Sequence, residues 1–324
     1  MNRGPVRVAM RGAALDEVTA RTLQHFHANK PEPASFPAMA SRVIDLAEHP
    51  DVDLSRLAHV IERDPAICTS VIAVANSAAN RRLVAVETVR TAMTQLGLKR
   101  VANIAVGVAC RSLFDVELRV EHELFPNWWG RLFHAAMTEA FTASFVAMER
   151  HRSASQSIFL SAMLHDIGKL LCLRSLAALI IGGALCEIPD DEAIEEILQR
   201  TRVEIGVAAL TAFNMPEALV SLCSRQDDED LPNADLWKEL FIVRLVAALN
   251  DLRMTTFNTE RPILTLQRTA LAMQLDGEDV LAVARQVSEH AAQVSVLFST
   301  SDEVDETGYL EFVQRCVTPP TSAQ

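Results

Sequence analysis

Apolar residues recur at helical spacing along almost the whole chain, and this periodicity limits the fold more than any other feature of the sequence. The segment from Asn127 to Met148 carries apolar side chains on more than one face, as expected for a helix that is buried on most sides. Single apolar stripes such as Met39, Val43 and Leu46 occur elsewhere. The 11 Gly and 13 Pro residues are too few for the many turns of an all-β fold. The sequence therefore predicts an all-α protein.

The lengths of the predicted helices divide the chain into consecutive regions. A multi-helix bundle is expected, preceded by a half of short helices and followed by extra C-terminal helices that cover the core or form a dimer contact. The predicted regions are an N-terminal arm at 1–30, a short-helix half at 31–125, a half of longer helices at 126–256, and C-terminal helices with a polar tail at 257–324.

Three details of the longer-helix half are specific enough to check. One helix is predicted from about Ser155 to Leu170, and two separate helices are predicted at 191–200 and 203–213. The acidic run Asp227–Asp230 is interpreted as a solvated loop.

Composition excludes several classes of function. The net charge of −12, with no long basic run, argues against binding a nucleic acid, which needs clustered Lys and Arg. The six cysteines are widely spaced, so we expect small reduced core residues rather than a disulfide framework. No uninterrupted apolar stretch approaches the ~18 residues of a membrane span, and the N-terminus lacks a signal-peptide core. These features predict a cytoplasmic protein.

The sharpest motif is the run Leu164–Lys169, which contains adjacent His165 and Asp166. An imidazole nitrogen and a carboxylate oxygen on one turn can bind a single divalent ion, and a metal-bound water is a nucleophile near neutral pH. His134, on the long apolar helix, is the candidate for a third ligand. The motif thus makes His134, His165 and Asp166 candidate ligands of one divalent metal ion. The alternative is a helix-end arrangement in which the Asp166 carboxylate orients the His165 ring and no metal enters.

The order of several motifs resembles the HDOD family, the HD-related output domain of bacterial signal transduction, over roughly residues 32 to 230. The His134 helix and the His-Asp pair alone resemble the wider HD superfamily of metal-dependent phosphohydrolases. The segments that carry the narrower resemblance are Glu62–Ala66, Val74–Ala78 and Ala92–Gly97.

The resemblance implies an all-α, HD-like domain that is regulatory rather than catalytic. It also implies a link to two-component or cyclic-dinucleotide signalling. The partner would be another signalling protein, such as a cyclase or a kinase, or a second copy of this chain.

The chain departs from the pattern of active HD enzymes at the positions of further metal ligands. Arg202 stands where related sequences usually have His, and Gln226–Asp227 stands where a His-His pair is often seen. The final Asp of the pattern aligns with Ala247, and Asp251, about one turn later, is the doubtful candidate for a fourth ligand. A site of so few ligands is expected to be degenerate.

Each motif residue also has a structural interpretation. His134 can be a core histidine that is hydrogen-bonded to a backbone carbonyl. Lys169 can interact favourably with the helix dipole at a helix C-terminus. Asn76 can adopt a left-handed helix stop. Purely structural roles are predicted for Asp64, Asn76, Ser77, Trp128 and Trp129.

Three functions follow from this reading. The first is a non-catalytic signalling adaptor that acts through protein contacts. The second is a single-metal HD phosphohydrolase acting on a nucleotide or cyclic dinucleotide. The third is a sensor that binds a ligand in an inert pocket.

Overall fold

The computed structural model describes residues 7–31, 36–48, 54–77, 85–114, 119–151, 156–228, 238–254, 259–298 and 304–317. These ranges contain helices and one pair of two-residue strands, so the predicted all-α fold is confirmed. The elements in chain order are β1 (Arg7–Val8), α1 (Ala13–Ala28), α2 (Ala38–Glu48), α3 (Leu54–Glu62), α4 (Pro65–Asn76), α5 (Val89–Leu96), α6 (Leu98–Phe114), α7 (Arg119–Leu124), α8 (Trp128–His151), α9 (Gln156–Leu164), α10 (Ile167–Ile181), β2 (Ile188–Pro189), α11 (Asp191–Ala212), α12 (Glu217–Ser224), α13 (Lys238–Met254), α14 (Glu260–Ala272), α15 (Gly277–Phe298) and α16 (Glu306–Val317).

Helices α2 to α6, four of which have 12 residues or fewer, form the N-terminal half, and a side chain caps the start of α4. Asp64 Oδ1 accepts the backbone N–H groups of Ala66 and Ile67 at 3.0 and 3.1 Å, which satisfies two donors at the start of α4. The structural role predicted for Asp64 is therefore confirmed, and it is that of a helix N-cap.

Asn76 does not adopt the predicted left-handed conformation at the end of α4. Its side-chain amide instead donates to the carbonyl of Val86 at 2.7 Å and accepts the Val86 N–H at 2.8 Å. This two-sided bond ties the end of α4 to the segment before α5, so the role of Asn76 is structural but not that of a helix stop.

Helices α8 to α11 form the centre of the molecule. Trp128 and Trp129 at the start of α8 are only 2% and 4% exposed, which confirms them as core residues. The predicted helix from Ser155 to Leu170 is wrong in extent. Helix α9 ends at Leu164, the next two residues form a turn, and α10 continues to Ile181.

The two helices predicted at 191–200 and 203–213 are one continuous helix, α11. Thr201, at the predicted break, bonds through its hydroxyl to the carbonyl of Ile197 within the same helix, so the polar side chain is satisfied locally. Continuity of α11 matters for the site, because it fixes the position of Arg202 relative to α10.

The first and the last described elements pack onto this centre. Strand β1 pairs in parallel with β2, and α1 packs against α10 and α11. Helix α15 packs against α8, α14 against α13, and α16 against α15 and α13. The C-terminal helices therefore cover the core, which is one of the two roles predicted for them.

All six cysteines lie in described ranges and are free thiols. Cys110, Cys172 and Cys223 are buried as predicted, but Cys186 is exposed because it lies in the connection between α10 and β2. Within the described ranges, no helix combines the length and the apolarity that crossing a membrane requires.

Candidate functional site at the His165–Asp166 turn

The turn between α9 and α10 brings the sharpest sequence motif against α11. An added Cβ at Gly168 would lie 1.9 Å from the carbonyl oxygen of Arg202, so only glycine allows the two helix backbones to come this close. The glycine of the motif thus places Arg202 beside Asp166.

Asp166 is held by cationic side chains on both carboxylate oxygens. Its Oδ1 accepts from Arg202 Nη1 at 2.5 Å, and its Oδ2 lies 2.7 Å from Lys169 Nζ. Arg202 Nη2 donates to Asp227 Oδ1 at 2.5 Å, and Arg261 Nη2 donates to the same oxygen. We call Asp166, Lys169, Arg202, Asp227 and Arg261 the ion-pair cluster.

One prediction about this region is wrong. Lys169 lies in the first turn of α10 rather than at a helix C-terminus, and it is buried against Asp166. Asp227 lies in an exposed turn, as predicted for the acidic run, and two arginines also bind its carboxylate. The other end of the run, Glu229 and Asp230, lies outside the described residues.

Pairing within the ion-pair cluster keeps Asp166, Lys169 and Arg202 ionised. Burial acts to raise the pKa of Asp166, but Arg202 and Lys169 outweigh it and hold that pKa well below its usual range. Burial likewise acts to lower the pKa of Lys169 and of Arg202, and the Asp166 carboxylate outweighs it and raises both. All three groups therefore remain charged at neutral pH.

His165 lies beside the cluster and is 2% exposed. Its Nδ1 donates to the carbonyl of Ala162 at 2.8 Å, which leaves Nε2 unprotonated in the neutral ring. Burial lowers the pKa of His165, although Asp166 opposes the shift, so the ring is neutral at pH 7. Its Nε2 faces Glu139 Oε2 at 3.6 Å, which is beyond hydrogen-bond distance.

Glu139 on α8 belongs to this site and was not predicted from the sequence. Burial raises its pKa to about 8, and the carboxylates of Asp251 and Asp166 act in the same direction. Asn250 donates to Glu139 Oε1 at 2.8 Å. A signal was available, since Glu139 is the single charged residue of α8 between Arg131 and Glu149.

His134 faces away from this site, toward α15. Its Nε2 lies 3.1 Å from the carbonyl oxygen of Ala291 and 3.0 Å from Ser295 Oγ. Further along the same contact, Thr142 Oγ1 lies 3.1 Å from His290 Nδ1. We call His134, Thr142, His290 and Ser295 the α8–α15 seam. The structural interpretation of His134, a core histidine bonded to a backbone carbonyl, is confirmed.

The remaining predicted ligands share one small cavity. His165, Asp166 and Asp251 line a space of about 40 Å³ together with Glu139 and Lys169. Burial raises the pKa of Asp251, and the Lys169 ammonium opposes that shift. His134 does not line this cavity, so the structure does not gather the three predicted ligands around one point.

The residues present do not fit the divalent ion of an HD enzyme. Both oxygens of Asp166 already bind cationic side chains, and an ion there would face the charges of Lys169 and Arg202 at close range. Within the described ranges, no group of three or more His, Cys, Asp or Glu residues is arranged to hold a metal. The guanidinium of Arg202 thus occupies a position where a histidine ligand was expected.

Comparison with solved structures supports the same fold. A phosphohydrolase from Shewanella amazonensis, provisionally named as metal-dependent, is 20% identical, with a TM-score of 0.59 over 86% of this chain and 99% of that chain. An HDOD domain protein of unknown function from Geobacter sulfurreducens is 17% identical, with a TM-score of 0.60 over 88% and 100%. A protein from Marinobacter aquaeolei, provisionally named for signal transduction, is 19% identical, with a TM-score of 0.52 over 90% and 66%.

None of the curated proteins matches the chain. The comparison with protein families identifies a match, because the model of the HDOD domain matches residues 34–229. That range contains the short-helix half, the His165–Asp166 turn and Arg202 on α11. It covers more than half of the sequence, and its bounds agree with the resemblance found from the motifs. The chain therefore belongs to the HDOD domain family.

Proposed function

We propose that this HDOD protein is a non-catalytic signal-transduction protein whose HD-type site is a structural ion-pair cluster. The observation that carries the proposal is the pairing of both Asp166 oxygens with Lys169 and Arg202. Each Asp166 oxygen keeps a further lone pair, but a metal ion bound there would lie beside the Lys169 and Arg202 cations unless a buried ion pair broke.

The side chains around Asp166 are poorly suited to metal-assisted hydrolysis. Such catalysis needs a bound metal ion that lowers the pKa of a water molecule, and a divalent cation is repelled by other cations beside its ligands. Here the cations Lys169 and Arg202 stand beside the one carboxylate of the motif, and Glu139 is protonated at neutral pH. The site has lost the electrostatic character that attracts a divalent ion.

The output of such a domain is expected to pass through protein contacts. The partner proposed is a signalling protein such as a cyclase or a kinase, or a second copy of this chain. The support for this step is membership of the HDOD family and the arrangement of the ion-pair cluster.

A single-metal phosphohydrolase is the alternative. It is favoured by one observation, the shared cavity of His165, Asp166 and Asp251. It requires Lys169 and Arg202 to leave Asp166 when the metal binds, so it predicts metal uptake accompanied by a structural change around α10 and α11.

The decisive experiment measures metal content and turnover in the purified full chain. We expect no stoichiometric first-row metal by elemental analysis, and no hydrolysis of a phosphodiester or cyclic dinucleotide with added Mn²⁺. A matched variant, Arg202→His, replaces the guanidinium with a potential ligand and is expected to take up more Mn²⁺ than the wild type. A stoichiometric metal in the wild type, lost in His165→Ala and accompanied by turnover, would establish the alternative.

A further inference from the structure

Helix α16 packs against both α13 and α15, in the manner of a peptide ligand in a groove. Tyr309 and Val313, one turn apart on α16, are 5% and 0% exposed, so both are buried against the rest of the protein. Three other apolar side chains of this helix are partly buried against the core, namely Leu310, Phe312 and Val317. The residues exposed on its opposite face include Thr307, Glu311 and Gln314. Helix α16 is therefore amphipathic, and its buried side chains have the spacing by which helical ligands bind in grooves.

A charge pair fixes the start of α16. The side chain of Arg253 on α13 is 3% exposed, and its Nε and Nη2 both donate to Glu306 Oε1, the former at 2.9 Å. Ser288 Oγ on α15 donates to the other oxygen of this carboxylate at 2.5 Å. We call the surface of α13 and α15 that contacts α16, which includes Arg253 and Ser288, the α16 groove. This groove recognises a carboxylate in the first turn of a helix.

Helix α16 depends on the groove for its own structure. A helix of only 12 residues is marginal in water by itself, and Gly308 in the first turn weakens this one further. The fit is also imperfect, because the Tyr309 hydroxyl is buried without a hydrogen-bond partner among the described residues. A buried donor without an acceptor disfavours the docked state. Another helix of similar chemistry could therefore replace α16.

The α16 groove is separate from the site at the His165–Asp166 turn and from the α8–α15 seam. Asp251 on α13 lines the cavity of that site, whereas Arg253, two residues later, pairs with α16. On α15, His290 contacts α8, whereas Ser288, two residues earlier, bonds to α16. Residues two apart on a helix point in different directions, so the groove uses faces of α13 and α15 that the other two regions do not.

We propose that the α16 groove is a docking site for an amphipathic helix of a partner protein, and that α16 is an autoinhibitory segment that occupies it until the partner binds. The partner helix would carry a carboxylate in its first turn, an aromatic side chain three residues later and an aliphatic side chain four residues after that. Helix α16 has these groups at Glu306, Tyr309 and Val313. The inference deepens the proposed function and rests on it for the expectation that the output passes through protein contacts.

The probe is a fluorescein-labelled peptide of residues 304–317, titrated with the full chain under reducing conditions and followed by fluorescence anisotropy. In the full chain, Val313→Asp places a charge at a buried position and should release α16 from the groove. We expect saturable binding of the peptide to the Val313→Asp chain. Binding to the wild type should be weaker by about tenfold or more, because its own α16 competes for the groove. Absence of binding to the folded Val313→Asp chain, or equal affinity for the two chains, would overturn the proposal.

A second chain variant keeps the test valid if Val313→Asp does not fold. Glu306→Gln removes the charge that pairs with Arg253, so the chain should bind the peptide about fivefold more tightly than the wild type does. Glu311→Gln, on the exposed face of α16, is the matched control and should bind the peptide as the wild type does. Unchanged affinity in Glu306→Gln, together with a Val313→Asp chain that does not fold, would overturn the proposal.

Peptide variants test the chemistry assigned to the partner helix. Glu306→Gln in the peptide should weaken its binding to the Val313→Asp chain by about tenfold. Tyr309→Phe in the peptide should tighten binding by about threefold, because phenylalanine brings no hydroxyl group that would be buried without a partner. Equal binding of the Glu306→Gln peptide and the original peptide would overturn the acidic character assigned to the partner.

Turnover measured with the same protein samples separates this inference from the proposed function. Peptide binding without hydrolysis of a phosphodiester supports both. Metal-dependent hydrolysis would contradict the proposed function while leaving the groove as a docking site. Absence of peptide binding together with absence of hydrolysis would overturn the inference alone.

Discussion

Two buried histidines of the same helical half lie in opposite electrostatic surroundings. His165 lies beside the ion-pair cluster, within 3.8 Å of Asp166. His134 lies in the α8–α15 seam, where its hydrogen-bond partners are a backbone carbonyl and a hydroxyl, both neutral. The two rings were predicted to bind one metal together, yet they face different helices. Their separation shows that this half of the protein is stabilised in two distinct ways.

The seam is held by hydrogen bonds between polar groups, whereas the cluster is held by ion pairs. Burial lowers the pKa of His290 to about 4, so this histidine of the seam is neutral at pH 7. The cluster instead contains three largely buried charged groups, Asp166, Lys169 and Arg202, and these are paired with one another. Removal of one member of a buried pair is costly because the other is left alone. Substitutions in the two regions should therefore differ in size.

The largest effect is expected for Arg202→Met. This change removes the partner that Asp166 and Asp227 share, and leaves the mostly buried Asp166 with Lys169 alone. We expect the free energy of unfolding to fall by about 4 kcal/mol. Urea denaturation followed by circular dichroism measures it.

Arg200→Met is the matched control, two residues earlier on the same helix. Its side chain is 42% exposed and pairs with Asp16 and Glu196 at the surface. Exposed pairs contribute about 1 kcal/mol or less, so the loss should be small. Equal losses in the two variants would contradict the distinction between a buried cluster and surface pairs.

The next effect is a pH dependence that belongs to Glu139. Its pKa is about 8 in the folded chain and about 4.5 when unfolded. The folded state therefore binds the proton more tightly, so this contribution to stability is fully present below pH 4.5 and is lost as pH rises toward 8. Between pH 5 and 8 the wild type should lose stability relative to Glu139→Gln by on the order of 2–3 kcal/mol.

Denaturation of both proteins across that pH range checks the sign. Glu139→Gln keeps an acceptor for Asn250 and has no proton to lose. A parallel pH dependence in the two proteins would show that Glu139 is ionised in the folded chain.

The fold was largely predictable because helix periodicity depends on local sequence. Asp64 before Pro65 marks a helix start wherever the helix later packs. The break at His165–Asp166 was missed, since the apolar pattern continues through Leu170 and the turn depends on the contact of Gly168 with α11. That contact is tertiary, and it leaves no periodic signal.

The site was predictable in position but not in orientation. The motif located His165 and Asp166, and the presence of Arg202 where a histidine was expected signalled a departure from the HD ligand pattern. Helix α8 is apolar nearly all round, so the sequence could not tell which helix His134 faces. Its partners on α15 lie more than 150 residues away in sequence.

The close contact between α10 and α11 gives the third prediction. In Gly168→Ala the added methyl group would overlap the Arg202 carbonyl, and the helices must separate. We expect a loss of about 2 kcal/mol in the free energy of unfolding. Gly130→Ala, where nothing lies within 4 Å of the added Cβ, should leave stability unchanged or raise it by up to about 1 kcal/mol. A loss in Gly130→Ala equal to that in Gly168→Ala would contradict the steric explanation.

The smallest effect is expected in the α8–α15 seam, and it decides which region His134 serves. His134→Leu removes the hydrogen bonds to Ala291 and Ser295 and should cost about 1 kcal/mol, because both partners are uncharged. Ser295→Ala removes one of the same bonds from the other side, so the double variant should lose less than the sum of the two single losses. Added Mn²⁺ should not change the melting temperature of the wild type or of His134→Leu. A metal-dependent rise in the wild type that disappears in His134→Leu would move this histidine from the seam to the site around Asp166.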